Sequence, residues 1–278
     1  MKKMKRNLIM LAGLLFCLAG SVKTQAASLP KQQEIWFVTY SRGSIIRGNR
    51  LICLTGCTPE TTIKKVTCSS SKIKAEMYTY WDGAEIEGLE DGFDHGENCT
   101  IELDIKHTKK GHAKLKDKTR VKLTVLVSEG GKEQTLTTTV VFKEATLSRM
   151  FKSIKFNGKA YKPKQTKVHT NYKVKFKPQK SFKTVMVPKK GVRFDSTIAY
   201  HYYKGNINSY TTTKAVKLGK KVPLRQAGGT PMLMQFSFVP PLKKPAGITK
   251  AQATLLDVEW EQSAGVLAPW DIYIEFAS

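Results

Sequence analysis

Among the residues that could do chemistry, the most suggestive set is "DVEWE". Asp257, Glu259 and Glu261 alternate there, so on a strand all three carboxylates would share one face and imitate the acid–base pair of a glycosidase. The plainer reading is the polar side of a strand whose other side carries Val258 and Trp260. The five histidines form no His-Glu-x-x-His pair, no Gly-x-Ser-x-Gly elbow is present, and no glycine-rich loop leads a strand into a helix. Motif chemistry therefore points away from an enzyme, an extracellular hydrolase being the weakest reading, and no cofactor is expected.

The cysteines are the second set, and their redox state depends on compartment. Lys2, Lys3, Lys5 and Arg6 precede the apolar run "LIMLAGLLFCLAG", and "TQA" ends on small Ala26, the layout of a secretory signal peptide over residues 1–26. Bulky Phe16 before Cys17 does not fit a lipobox, so Cys17 is read as apolar filler within the leader. Cys53, Cys57, Cys68 and Cys99 remain, an even number in an exported chain, which reads as two disulfides with three pairings open. Cys68 follows Val66 and Cys99 precedes Ile101 in period two, so both are expected to point into a sandwich core. Zinc is the rival use, but Cys-x3-Cys without a Cys-x2-Cys knuckle is a poor zinc frame; free buried thiols are a third reading.

Carboxylates gather in "WDGAEIEGLEDGFDHGEN", residues 81–98, which holds seven acids and no lysine or arginine. Asp91, Asp94 and Glu97 would be its calcium ligands, since calcium tolerates irregular oxygen cages. The spacing is not that of an EF-hand loop, and a solvated, self-repelling insertion is the commoner outcome, so no metal is expected.

Binding surfaces are better represented. Between Lys152 and Phe194 stand thirteen lysines, Arg193 and no acid. Within this region "YKVKFKPQK" can turn Tyr172, Val174 and Phe176 inward and present Lys173, Lys175 and Lys177 as a row spaced roughly 7 Å apart along a strand. Such a row suits a polyanion, whereas lysines on an exposed edge strand serve instead to discourage strand pairing. "AYHYYKGNINSY" brackets Asn206 and Asn208 with Tyr200, Tyr202, Tyr203 and Tyr210, the flat faces and amides that a saccharide site uses; ordinary cross-strand packing is the competing explanation. Trp81 would be a further platform, while Trp270 is in phase with Ile272, Ile274 and Phe276 and reads as core.

The elements that must position these residues are almost all of period two. "CTIELDIK" puts Ile101, Leu103 and Ile105 on one face, "TRVKLTVLV" groups Val121, Leu123, Val125 and Val127, and "TLTTTVVF" follows after Gly130-Gly131 as a hairpin partner. A first strand is expected at Ile35 to Tyr40. Beyond "KEATLSRM" come "KSIKF", "NYKVKFK", "KTVMV", "STIAYHYY", "KAVKL", "MLMQFSF", "ATLLDVEW" and "WDIYIEF", with Asn157-Gly158 the strongest turn signal and "ITKAQATLL" the sole weak helical candidate. The expected fold is all-β: two antiparallel β-sandwich domains, 27–146 and 147–278, the second sandwich-like or jelly-roll-like.

"IKKVTCSSSKIKAE", "KKGHAKL" and "RVKLTVLVSEGGKEQTLTTTVVF" together resemble bacterial Ig-like domains of secreted and surface proteins over about residues 44–143. Cys68 stands where that family more often has an aromatic or aliphatic core residue, and the acidic segment 81–98 is an insertion. The resemblance implies adhesion, spacing or display rather than catalysis; residues 148–278 carry no family likeness.

Without the leader the chain has 42 basic and 22 acidic residues, a net charge of about +20, and no later stretch is long and apolar enough to span a membrane. Only seven of those 42 are arginine, the residue that reads bases through bidentate contacts, so sequence-specific nucleic-acid recognition is disfavoured. The expectation is a secreted or surface-associated noncatalytic binding or adhesion protein that meets an anionic wall polymer or host glycan through its basic C-terminal domain. A carbohydrate-binding module built on the tyrosine segment is the alternative.

Overall fold

The structure, a computed structural model, describes residues 26–40, 42–58, 60–78, 99–161, 172–176, 181–194, 197–203, 210–223, 232–236, 238–265 and 270–276. For 172–176, 197–203, 210–214, 232–236, 262–265 and 270–276 it describes the backbone alone.

The first half holds strands β1 (Gln32–Tyr40), β2 (Gly43–Arg47), β3 (Leu51–Cys53), β4 (Thr61–Cys68), β5 (Ile73–Met77), β6 (Thr100–Ile105), β7 (His107–Thr108), β8 (Gly111–His112), β9 (Thr119–Glu129) and β10 (Lys132–Glu144). A one-turn helix α1 (Leu147–Met150) follows, then β11 (Phe151–Phe156), β12 (Lys159–Tyr161), β13 (Tyr172–Phe176), β14 (Ser181–Pro188), β15 (Arg193–Phe194), β16 (Thr197–Tyr203), β17 (Tyr210–Lys217), β18 (Lys221–Pro223), β19 (Met232–Phe236) and β20 (Phe238–Val239). Helix α2 (Lys250–Gly265) and β21 (Trp270–Phe276) complete the described elements.

In the first half a five-stranded sheet, β2-β1-β10-β9-β4, packs on a three-stranded one, β3-β6-β5. The core between them is the alternation read from sequence: Ile101, Leu103 and Ile105 from one sheet meet Val121, Leu123, Val125 and Val127 from the other, all buried. Gly130 and Gly131, at φ +53° and +79°, join Glu129 to Lys132 as a two-residue loop; Asn157 and Gly158, at +47° and +80°, do the same between Phe156 and Lys159. Positive φ at both central residues is the turn whose twist matches the flanking strands.

The second half contains a four-stranded sheet, β12-β11-β14-β18, and a five-stranded one, β13-β21-β19-β16-β17. Ile154, Phe156, Phe182, Met186 and Val222 form the buried face of the smaller sheet. Most pairings among the described residues are antiparallel as expected, with two exceptions: β1 runs parallel to β10, Ile35 opposite Phe142, and β13 runs parallel to β21, Val174 opposite Ile274. Each parallel pair joins segments far apart in sequence, which no local turn signal announces.

One element differs in kind. The strand expected over "ATLLDVEW" is instead the body of α2, and the helical candidate "ITKAQATLL" is its start. Among its residues with described side chains, those buried are Gln252, Leu255, Leu256 and Glu259, spaced i, i+3, i+4 and i+7, but two of the four are polar, so the stripe does not show as a run of apolar residues. The start is a reciprocal capping box: Gln252 N donates to Thr249 Oγ1 (3.1 Å) and Thr249 N donates to Gln252 Oε1 (2.9 Å).

The halves touch extensively. Val38 of β1 is buried in the core of the smaller C-terminal sheet, with Trp36 and Tyr40 packed against it. Leu255 and Leu256 of α2 are buried with Leu51, Cys53 and Tyr78 of the first half. At the junction Arg149 donates from both terminal nitrogens to Asp117, each at 2.6 Å, fastening α1 to the segment that leads into β9. No helix among the described residues is long and apolar enough to cross a membrane.

Candidate functional site

The three carboxylates of "DVEWE" do not form a site. On a helix, residues two apart point about 200° from one another rather than the same way, and each acid has its own cation. Lys244 meets Asp257 at 2.5 Å, Arg50 Nε donates to Glu259 at 2.9 Å, and Arg193 lies 3.6 Å from Glu261. Arg50 also binds Glu102 of β6, so this arginine ties α2 to the first half. Burial pushes the Glu102 carboxyl above the usual range, against the opposing pull of Arg50.

Lys173 and Lys175 lie on β13, the outermost strand of its sheet, which is where edge protection operates; Lys177 lies outside the described residues. Tyr200, Tyr202 and Tyr203 are on β16, an interior strand between β19 and β17. Tyr200 is in backbone register with Lys214 and Met234, Tyr202 with Thr212 and Met232, and Tyr203 with Tyr210. Asn206, Asn208, Trp81 and the calcium candidates Asp91, Asp94 and Glu97 lie outside the described residues.

Cys53, Cys57, Cys68 and Cys99 are free thiols in this structure. Cys53 is buried, which pushes its thiol up to about 12. Cys68, at the end of β4, packs against the first core from a half-buried position. Cys57 and Cys99 are half-buried, and the side-chain interaction with Cys99 first, then burial, raises the Cys57 thiol.

A cleft of about 270 Å³ lies between the start of β1, Asn49, Leu51 and the segment Lys243–Pro245. Its charges are matched internally. Lys143 and Lys243 donate to Glu34 at 2.5 and 3.2 Å, and the Lys143 bond chiefly holds the Glu34 carboxyl below its ordinary range. With Lys244 on Asp257, this cleft offers no unmatched charge to a ligand.

The outer face of β12-β11-β14-β18 is different. Because Phe156, Phe182, Thr184, Met186 and Val222 point into the core, the residues between them point out, among them Lys155, Lys183 and Lys221, all exposed. Lys183 is directly opposite Lys221, and Lys155 is opposite Val185, which places it diagonal to Lys183. Cross-strand partners bring Cβ atoms to about 5 Å and diagonal ones to about 7 Å. Among the described residues no carboxylate pairs with any of these lysines, and from Ala145 to Leu256 the sequence has 24 basic residues and one acid, Asp195. Lys221 sits on the edge strand β18, but β11 and β14 are interior, so edge protection does not explain Lys155 or Lys183. In "YKVKFK" three lysines alternate along one strand, whereas this cluster is assembled from three strands, each contributing one.

No family model matches the chain, and no curated protein matches it. Among solved structures it is similar to the first four extracellular cadherin domains of protocadherin gamma B7, at 11% identity and a TM-score of 0.26, covering 91% of this chain and 51% of that one. It is also similar to the titin A168169 fragment, at 11% identity and a TM-score of 0.22, covering 91% and 99%. The chain thus spans about half the length of the protocadherin structure, and scores this low fix neither the arrangement of its parts nor its activity.

Proposed function

We propose that this is an exported, noncatalytic binding protein whose outer C-terminal sheet face, centred on Lys155, Lys183 and Lys221, takes a flexible anionic polymer. The observation that supports this reading is the Lys183–Lys221 pair. Two like charges directly opposite across strands cost stability, typically some tenths of a kcal/mol, and among the described residues no carboxylate offsets them. Lys221 can also protect the edge strand β18, but Lys183 on interior β14 has no such role. A ligand carrying repeated negative charge would neutralise the pair and use the spacing of the three ammonium groups. Lysines rather than arginines favour charge contact over bidentate recognition, so selectivity should follow charge density more than sequence or ring stereochemistry.

The test is a salt titration of binding to a poly(glycerol phosphate), a sulfated glycosaminoglycan and a neutral glucan. Wild type should bind the two anionic polymers with an affinity that falls steeply with salt, and Lys183→Gln/Lys221→Gln should lower the slope of log Kd against log salt by about two. The same double substitution should leave thermal stability unchanged or slightly raised, because it removes a repulsion. Unchanged anion affinity in that variant, or equal binding to the neutral glucan, sinks the reading.

A further inference from the structure

Cys57 and Cys99 meet where β3 and β6 run up against α2. The ladder pairs Cys53 with Thr100, and one step further Leu54 N donates to the Cys99 carbonyl at 2.8 Å. Cys57, three residues beyond Leu54, has its thiol in interaction with that of Cys99. Two thiols that interact directly are the pair best placed to close to bonding distance, about 2.05 Å. The other two cysteines are placed differently. Cys53 is 1% exposed among Leu51, Tyr78, Leu255 and Leu256, out of reach of an oxidant, and Cys68 lies in register with Leu123 of β9, packed against the first core.

We infer that Cys57 and Cys99 form a disulfide in the oxidised protein, with Cys53 and Cys68 remaining thiols, and that this bond clamps the seat of α2. The seat is explicit: Gln252 Nε2 donates to the Leu54 carbonyl at 3.0 Å and to the Cys99 carbonyl at 3.2 Å. A link through Cys99 would hold one of these acceptors in place. In the reaction the two thiols lose two protons and two electrons and one S–S bond forms. The oxidant is a small disulfide such as glutathione disulfide, whose own S–S bond breaks as it takes up both, giving two thiols. The inference is independent of anion binding and can fail without it.

The full-length chain is equilibrated with glutathione disulfide, alkylated, digested without reduction and mapped by mass spectrometry. A Cys57–Cys99 linked peptide is expected as the main product, two hydrogens lighter than the sum of its parts, with Cys53 alkylated only or mainly after denaturation and the half-buried Cys68 recovered unlinked. A main product linking Cys53 or Cys68, or Cys57 and Cys99 both recovered alkylated after oxidation, overturns it. As a second readout, oxidation should raise the wild-type Tm by roughly 10 °C. That increment should vanish in Cys57→Ser and in Cys99→Ser and persist in Cys53→Ser; its survival in Cys57→Ser refutes the pairing.

Discussion

Gln252 is 1% exposed at the start of α2 with every polar atom of its side chain engaged, which makes Gln252→Met a sharp test of how the halves are joined. Methionine matches glutamine closely in length and volume, so the substitution removes hydrogen bonds without opening a cavity. Three bonds disappear: Thr249 N to Oε1, and Nε2 to the carbonyls of Leu54 and Cys99. Loss of the capping contact costs about 1 kcal/mol. The Leu54 carbonyl belongs to a fully buried residue, and stranding it costs about 2 kcal/mol; the Cys99 carbonyl keeps its bond from Leu54 N and adds little. The sum is about 3 kcal/mol, which for a chain of this size lowers Tm by roughly 6–12 °C. Urea unfolding followed by circular dichroism measures it directly. A loss below about 0.5 kcal/mol would show that the amide bridge is incidental to the fold. Gln252→Glu should be worse than Met at neutral pH, since it sets a carboxylate against two carbonyl oxygens, and should recover on acidification.

Three further outcomes follow from the same contacts. Arg149, with the backbone N–H of Glu144, holds the Asp117 carboxyl at about 2, below its usual 3.8; its folded pKa being depressed, the stability it contributes is present above about pH 4 and lost as pH falls toward 2. The Tm gap between wild type and Asp117→Asn should therefore close across that window, and a gap constant with pH contradicts the assignment. Arg50→Met leaves Glu102 and the 8% exposed Glu259 without their shared cation and should cost about 2–3 kcal/mol at neutral pH, most of it recovered in Arg50→Met/Glu259→Gln, as a double-mutant cycle would show. Gly131→Ala meets no atom within 4 Å but must hold φ +79°, so calorimetry should find a loss of about 1 kcal/mol with no change in the hairpin's neighbours.

The strand faces were legible because period two is a local signal. Val121 to Val127 and Ile101 to Ile105 alternate whatever they pack against, and Gly130-Gly131 and Asn157-Gly158 encode their turns in two residues each. α2 was not legible for a physical reason: its inner stripe uses Gln252 and Glu259, whose burial is supported by partners some two hundred residues away, Leu54 and Arg50. The signal that was present is local, Thr249-x-x-Gln252, a capping box directly ahead of Leu255-Leu256. The lysine face was hidden for the corresponding reason in sheets. Lys183 and Lys221 become neighbours only once β14 pairs with β18, whereas the row on β13 is visible to anyone reading every second letter.

The joint between the halves combines two kinds of contact with different physical roles. Leu255 and Leu256 supply apolar area, and by themselves would seat on Leu51, Cys53 and Tyr78 with the helix slid or rotated by a few ångströms at modest cost, since burial is non-directional. The Leu54 and Cys99 carbonyls do not tolerate such a slide. They are two acceptors fixed in the first half, and only a donor one helical turn before the leucines reaches both. Arg50 imposes the same demand one turn after them, because it must reach Glu259 while holding Glu102. Polar contacts at both ends of a short apolar patch therefore set the register of α2, and the leucines between them supply most of the favourable free energy.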